Sequence, residues 1–319
     1  MPPRLTLPPP PAWLAGLALA FVMPGLAGHD PWKSLDAIGI DIVYDMALGR
    51  DLLVPHVTSW TWLHDAPLYY WAALALGKLF QRFVEFHSAA RLASGAFVLA
   101  ACWLLYTAAR DWTPAEARRT AAAAALLVFI GSVGLIMHAH EALPELASLA
   151  ALSGALAVLP RAVTRPLATG TLFGAALGLA FLSSTWIAPG ALGVAVAAAH
   201  LACPQWRGRN ALPFWAASLI VGGALSLSWP LALYARSPEL FKEWWTLTSQ
   251  PQGALGANVR YFLSTGSWFA WPAWPLALWT LWRWRAHLLH RHISVPLGMT
   301  LPSGRRRLQP APQLRRSPP

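Results

Sequence analysis

The sequence predicts an all-α fold, a polytopic transmembrane helical bundle with amphipathic juxtamembrane helices in its first outer loop. Three observations lead there. The 319 residues are 56% hydrophobic and only 12% charged, against about 25% charged in a soluble domain. Apolar runs recur along the chain, each approaching the roughly 17–25 residues that cross a bilayer. The 24 Lys+Arg exceed the 13 Asp+Glu, for a formal charge of +11. In a soluble chain that excess would suggest nucleic acid. Between apolar runs it marks the cytoplasmic side of a membrane, and no nucleic-acid partner is expected.

Residues 1–11 read as a Pro-rich cytoplasmic N-terminus. Ala12–Ala27 is the first span. Leu26-Ala27-Gly28 imitates a signal-peptide cleavage site, but further spans follow, so the helix is read as retained. Seven more spans are placed at 88–109, 120–138, 142–160, 167–182, 186–203, 212–234 and 267–284, giving one membrane domain over 12–286. Only Ser183-Ser184-Thr185 separates the fifth from the sixth, so one broken or re-entrant hairpin is the alternative. Gly170–Ala180 (GTLFGAALGLA) suits close helix packing in lipid. The two cysteines, Cys102 and Cys203, lie far apart in or beside apolar runs, and no disulfide framework is implied.

With the N-terminus inside, the cytoplasmic segments hold Arg4, Arg110, Arg118, Arg119, Arg161, Arg165, Arg207, Arg209, Arg283, Arg285, Arg291 and the five arginines of the tail. That is 16 of the 24 cations. Among the acids only Asp111 and Glu116 fall on that side. Acids contribute little to orientation, so their concentration outside points to a working surface there.

Two outer loops are long, 28–87 and 235–266. The first opens with GHDPWKSLDAIGIDIVYDMALGRDLLVP (Gly28–Pro55), which carries five aspartates. Leu35, Ile38, Ile42 and Met46 recur at near-helical spacing and predict a surface helix over Leu35–Leu48. At about 100° per residue, Asp41 and Asp45 share a face, opposite Asp36. Asp36 sits near the helix N-terminus, which favours its ionised form. An ionised carboxylate beside apolar walls suits a general base. The plainer reading makes Asp36 an ordinary first-turn residue and leaves Asp41 and Asp45 solvated. Pro67–Phe86 reads as a second surface helix. As a full span it would invert everything after it, against the arginine pattern. Farther on, His138-Ala-His-Glu-Ala-Leu-Pro-Glu145 leaves the third span with imidazoles and carboxylates at a spacing that can hold a divalent cation.

These segments, in this order, resemble the C-type glycosyltransferases of the protein-mannosyltransferase-like superfamily (glycosyltransferase family 39), which include the bacterial aminoarabinose transferases. The matching blocks are SLDAIGIDIVYDM, LLVP (Leu52–Pro55), APLYYW (Ala66–Trp71), RLASG (Arg91–Gly95), HAHEALPE, FLSSTWIAPG (Phe181–Gly190), SWPLALY (Ser228–Tyr234) and RYFLSTGSWFAWPAWPLALW (Arg260–Trp279). The resemblance covers about Ala12–Trp284. It implies a polyprenyl-phosphate sugar as donor, an envelope lipid, glycan or protein as acceptor, and the periplasmic face of a bacterial inner membrane as the place of reaction. It also implies a catalytic acid in the first outer loop. The family's Asp-Glu pair is reduced here to Leu35-Asp36, so Asp36 is assigned the catalytic role. Where the family often carries Glu-Lys-Pro-Pro, this chain reads His64-Asp65-Ala66-Pro67. The lysine that would meet donor phosphate is missing, so Arg260 and Lys33 are assigned that charge. Asp30, Asp65 and Glu145 are further candidates. A divalent metal ion is the one cofactor suggested, on His64, His138, His140 and Glu141. The histidine the family carries in its later outer loop has no counterpart in Gly253–Val259.

The tail, 287–319, is rich in Pro and Arg without periodicity and reads as disordered. Its abrupt change of composition suggests a truncated or frame-shifted continuation. A basic tail on anionic lipid is the other reading. The alternatives to glycosyl transfer are a non-catalytic membrane subunit of the same fold and a transporter. The second needs ionisable groups in mid-span, and the spans carry almost none, with His200 near an end.

Overall fold

The computed structural model describes residues 10–202, 211–250, 255–283 and 285. Cys203 and the tail over 287–319 lie outside them. The helices in chain order are α1 (Ala12–Val22), α2 (Ser34–Ala47), α3 (Leu68–Phe80), α4 (Phe86–Trp112), α5 (Arg118–Ile130), α6 (Val133–His138), α7 (Pro144–Val158), α8 (Pro166–Ser183), α9 (Ile187–Ala202), α10 (Ala211–Arg236), α11 (Pro238–Ser249), α12 (Leu255–Phe269) and α13 (Ala273–Arg283). The β-structure among the described residues is one short antiparallel hairpin, β1 (His56–Val57) with β2 (Trp60–Thr61). The fold is an all-α membrane bundle with surface helices in the first outer loop, as expected.

Proline places several helix starts. Pro144, Pro166 and Pro238 each stand in the first turn, where the missing N–H has no intrahelical partner to lose. Ser237 caps α11 by accepting from the Leu240 N–H at 3.3 Å. The core runs as a row in which α4 packs on α7, α7 on α8 and α8 on α10, with α3 and α5 against α4. Close approach sets the α8–α10 contact. A Cβ on Gly174 would stand 2.3 Å from the Ser218 carbonyl oxygen, so the two backbones meet there as small residues allow in lipid.

Among the described residues, three helices are long and apolar enough to cross a membrane: α4, α8 and α10. The other expected spans are shorter or broken. The 120–138 span divides at Gly131-Ser132 into α5 and α6. The 267–284 span straddles the break between α12 and α13. The two breaks meet, because Val133 N–H donates to the Trp271 carbonyl at 2.9 Å. Backbone freed from a helix at this depth needs such a partner. Among the described residues of 235–266, α11 and most of α12 are helical. The surface helices expected at Leu35–Leu48 and Pro67–Phe86 are α2 and α3.

The helix ends gather at two poles. At one, Arg110 and Arg161 both pair with Asp111. At the other, the first loop lies on the ends of α8 and α10: Ala66 N–H donates to the Ser184 carbonyl at 3.3 Å, and Trp229 Nε1 to the Leu53 carbonyl at 2.8 Å. Val54, Leu63, Leu182, Trp229 and Trp244 close that end.

Candidate functional site

The site is built around residues 137–145, where the chain passes from α6 to α7. Four contacts fix this segment. Asp36, in the first turn of α2, accepts the Ala142 N–H on Oδ1 at 2.8 Å. Ser94 of α4 donates to the Glu141 carbonyl at 2.6 Å, and the Tyr69 hydroxyl stands 2.7 Å from Ser94 Oγ. Lys33 donates to the Met137 carbonyl at 2.6 Å and forms an ion pair with Glu141. Gly39 of α2 lets the Ala142 carbonyl approach so closely that a Cβ would sit 2.0 Å from its oxygen.

Asp36 is itself held. Arg91 Nε and Nη2 reach its two oxygens at 3.2 and 2.5 Å. Arg91 is wholly buried and Asp36 is 2% exposed. A bidentate buried pair of this kind is strong in geometry, and it leaves the Asp36 oxygens little access to a substrate proton. Asp41 and Asp45 also depart from the solvated face expected of them. Asp41 accepts the Thr58 N–H at 3.0 Å. Asp45 is buried and pairs with Arg50 at 2.8 Å. The helix carries its carboxylates inward because the hairpin loop and α4 supply partners on both sides.

Beside this node lies a cavity of about 480 Å³. Its walls come from the α5–α6 break (Phe129, Ser132, Leu135), the start of α7 (Leu146, Leu149) and the α12–α13 break (Phe269, Ala270, Ala273). Leu35 of α2 also lines it, together with two ionisable side chains, His138 and Glu145. His138 Nδ1 contacts Glu141 Oε2 at 3.1 Å, so Lys33, Glu141 and His138 form a chain leading to the cavity. Glu145 is exposed there, and the Asp65 charge acts on it electrostatically. Asp65 accepts from Trp62 Nε1 at 3.1 Å. Burial pushes the Asp65 carboxyl above its ordinary value, against hydrogen bonds from Trp62 and Tyr70.

The other candidates are dispersed. His140 Nε2 donates to the Phe21 carbonyl at 3.0 Å, and its ring lies against Phe21. His64 is exposed and packs on Trp62. Among the described residues, no three of His64, His138, His140 and Glu141 bring ligand atoms together. Arg260 is exposed on α12. Asp30 lies beside Glu85 and His87 instead. Sequence reasoning missed Arg91, the clamp of the whole node, although it falls inside the 88–109 span. An arginine within an apolar span is itself the signal that a partner waits for it.

The fold that carries this first-loop acidic helix and cavity is C-type glycosyltransferase-like, by its likeness to solved structures. The particular likeness is to ArnT from Cupriavidus metallidurans. The structure of ArnT bound to undecaprenyl phosphate matches with a TM-score of 0.71 and 19% identity, over 90% of this chain and 53% of that one. Its apo structure matches with a TM-score of 0.69 and 19% identity, over 90% and 52%. This chain thus spans about half the length of the solved structures it matches. No family profile and no curated protein sequence matches it.

Proposed function

We propose that this protein is a membrane glycosyltransferase that moves a sugar from a polyprenyl-phosphate donor to an envelope lipid, glycan or protein acceptor at the periplasmic face of a bacterial inner membrane. The observation that carries the reading is the apolar cavity ending at Glu145 and His138, in a fold shared with an enzyme solved with undecaprenyl phosphate. The polyprenyl chain enters along Phe129, Leu149 and Phe269. Glu145 takes the acceptor proton, while the Asp36–Arg91 pair holds the α6–α7 turn that presents it. The acceptor atom bonds to the anomeric carbon as its bond to the phosphate oxygen breaks, and polyprenyl phosphate leaves. Lys33 and His138 balance the phosphate charge, the preorganised electrostatic role that such groups fill. Inversion at the anomeric carbon is expected from the family resemblance alone.

The test is turnover in vesicles. Purified full-length protein is reconstituted with lipid-linked sugars extracted from bacterial envelopes, and released polyprenyl phosphate is followed by mass spectrometry. Glu145→Gln should lower the rate about 10²–10⁴-fold, the usual share of a general base, with the fold intact. Release unchanged in Glu145→Gln would remove Glu145 from this role.

One observation favours a second reading, a donor-binding subunit without catalysis. Leu35 lines the cavity at the first position of the Leu35-Asp36 pair, and Asp36 is turned into the clamp. In that case the same vesicles bind donor and release nothing.

A further inference from the structure

We propose that the arginine pole binds the phosphate headgroup of an acidic membrane phospholipid, held between the α4–α5 connection and the α7–α8 turn. Three guanidinium groups converge there. Arg110 and Arg161 both reach Asp111, at 2.6 and 2.5 Å. Arg118 Nε donates to the Thr113 carbonyl at 3.2 Å, close along the chain from the same aspartate. Arg161 Nη1 also donates to the Ala157 carbonyl at 3.0 Å, and Trp112 Nε1 to the Leu156 carbonyl at 3.3 Å, so the two connections are tied together. Arg165 follows Arg161 by one turn of backbone hydrogen bonding.

Two features point to an anion from outside the chain. The first is charge. One carboxylate serves two arginines, and Arg118 and Arg119 make no ion pair among the described residues. Glu116, the other acid of the connection, makes none there either. Arg118 and Arg119 are exposed and open α5, where the helix dipole is already positive, so their charge is left to an outside anion. The bias of arginine to one side of the membrane requires cations in these connections. It does not require them to gather about one aspartate. The second feature is depth. α4 ends at Trp112 and α8 begins at Pro166, and both are long and apolar enough to cross a membrane. The cluster therefore stands level with lipid headgroups. Leu167, 63% exposed in the first turn of α8, offers the acyl chain an apolar surface. Phosphate oxygens match the paired donors of a guanidinium fork, and basic pockets between spans suit acidic headgroups. The site lies at the pole away from the cavity and does not rest on glycosyl transfer.

The test follows thermal unfolding of the full-length protein in detergent against three additives: short-chain phosphatidylglycerol, phosphatidylcholine of the same chain length, and inorganic phosphate. A ligand that binds the folded state raises the melting temperature with its concentration. Phosphatidylglycerol should raise it, and added salt should weaken the effect by screening. Phosphatidylcholine and inorganic phosphate at equal concentration should leave it unchanged. Arg118→Gln combined with Arg119→Gln, at exposed positions, should weaken phosphatidylglycerol binding about 30-fold, the usual worth of two cations near an anionic lipid surface. Arg236→Gln, exposed at the other pole, should keep it. Equal stabilisation by phosphatidylglycerol and phosphatidylcholine would overturn the proposal, as would a double variant that responds like the wild type. Inorganic phosphate as effective as phosphatidylglycerol would overturn the lipid headgroup as the ligand.

Discussion

At the scale of residues, the five aspartates of Gly28–Pro55 each have a local task. Asp36 joins α2 to α4 and the α6–α7 turn, Asp41 holds Thr58, and Asp45 pairs with Arg50. Asp51 turns the chain by accepting the Leu53 N–H at 2.8 Å, and Asp30 meets Glu85 and His87. The Asp36–Arg91 pair is the most consequential. Arg91→Met leaves Asp36 buried without its cation, and breaking a buried pair in this way costs about 3–5 kcal/mol. The variant should unfold well below the wild type in a thermal scan in detergent, and adding Asp36→Leu should recover much of the loss. A single variant as stable as the wild type would mean that the pair contributes little. Asp65 gives a pH signature. Its folded carboxyl binds the proton more tightly than the unfolded one, so the folded state holds more protons above the ordinary value of 3.8. Its contribution to stability therefore falls as pH rises through the window from 3.8 up to the raised value. Asp65→Asn should remove that fall and stabilise the protein at neutral pH. The readout is the melting temperature of both proteins from pH 4 to about pH 7, the range carboxylate titration governs.

At the scale of elements, α8 and α10 show how lipid-embedded helices meet. Gly174→Leu places a side chain where the Ser218 carbonyl oxygen already sits, so the helices must part and lose their shared contact. Overpacking of this kind costs about 1–3 kcal/mol or more. The variant should be more readily cut by protease in detergent, whereas Gly223→Leu, whose Cβ position is open, should not. Much at this scale was legible in the sequence. The helices α2 and α3 follow from apolar spacing, and α4, α8 and α10 from long apolar runs. The breaks were not legible, because Gly131-Ser132 and Trp271-Pro272 read as tolerable interruptions until each supplies the other's missing hydrogen bond. The site was legible only in part. Spacing identified the residues of His138–Glu145, but which of them faces the cavity depends on Asp36, Lys33 and Ser94 arriving from far along the chain. The inward turn of Asp36 depends on Arg91, which hydropathy hides inside a span.

At the scale of the whole molecule, two poles and a row of packed helices put the polar node at one end and the apolar cavity directly beside it. Under the proposed function, this cavity receives the lipid chain of a polyprenyl-phosphate donor. A phosphate placed near Lys33 and His138 would leave its chain against Phe129, Leu149 and Phe269, where the broken helices open. The most direct measurement is photo-crosslinking of the reconstituted full-length protein with a benzophenone-bearing polyprenyl phosphate, followed by peptide mapping. The account predicts labels within residues 129–149 and 269–273, displaced by unlabelled undecaprenyl phosphate and reduced when Leu149 is replaced by Trp to fill the cavity. Labelling spread over the outer faces of α8 and α10, insensitive to competitor and to the Leu149→Trp change, would contradict it.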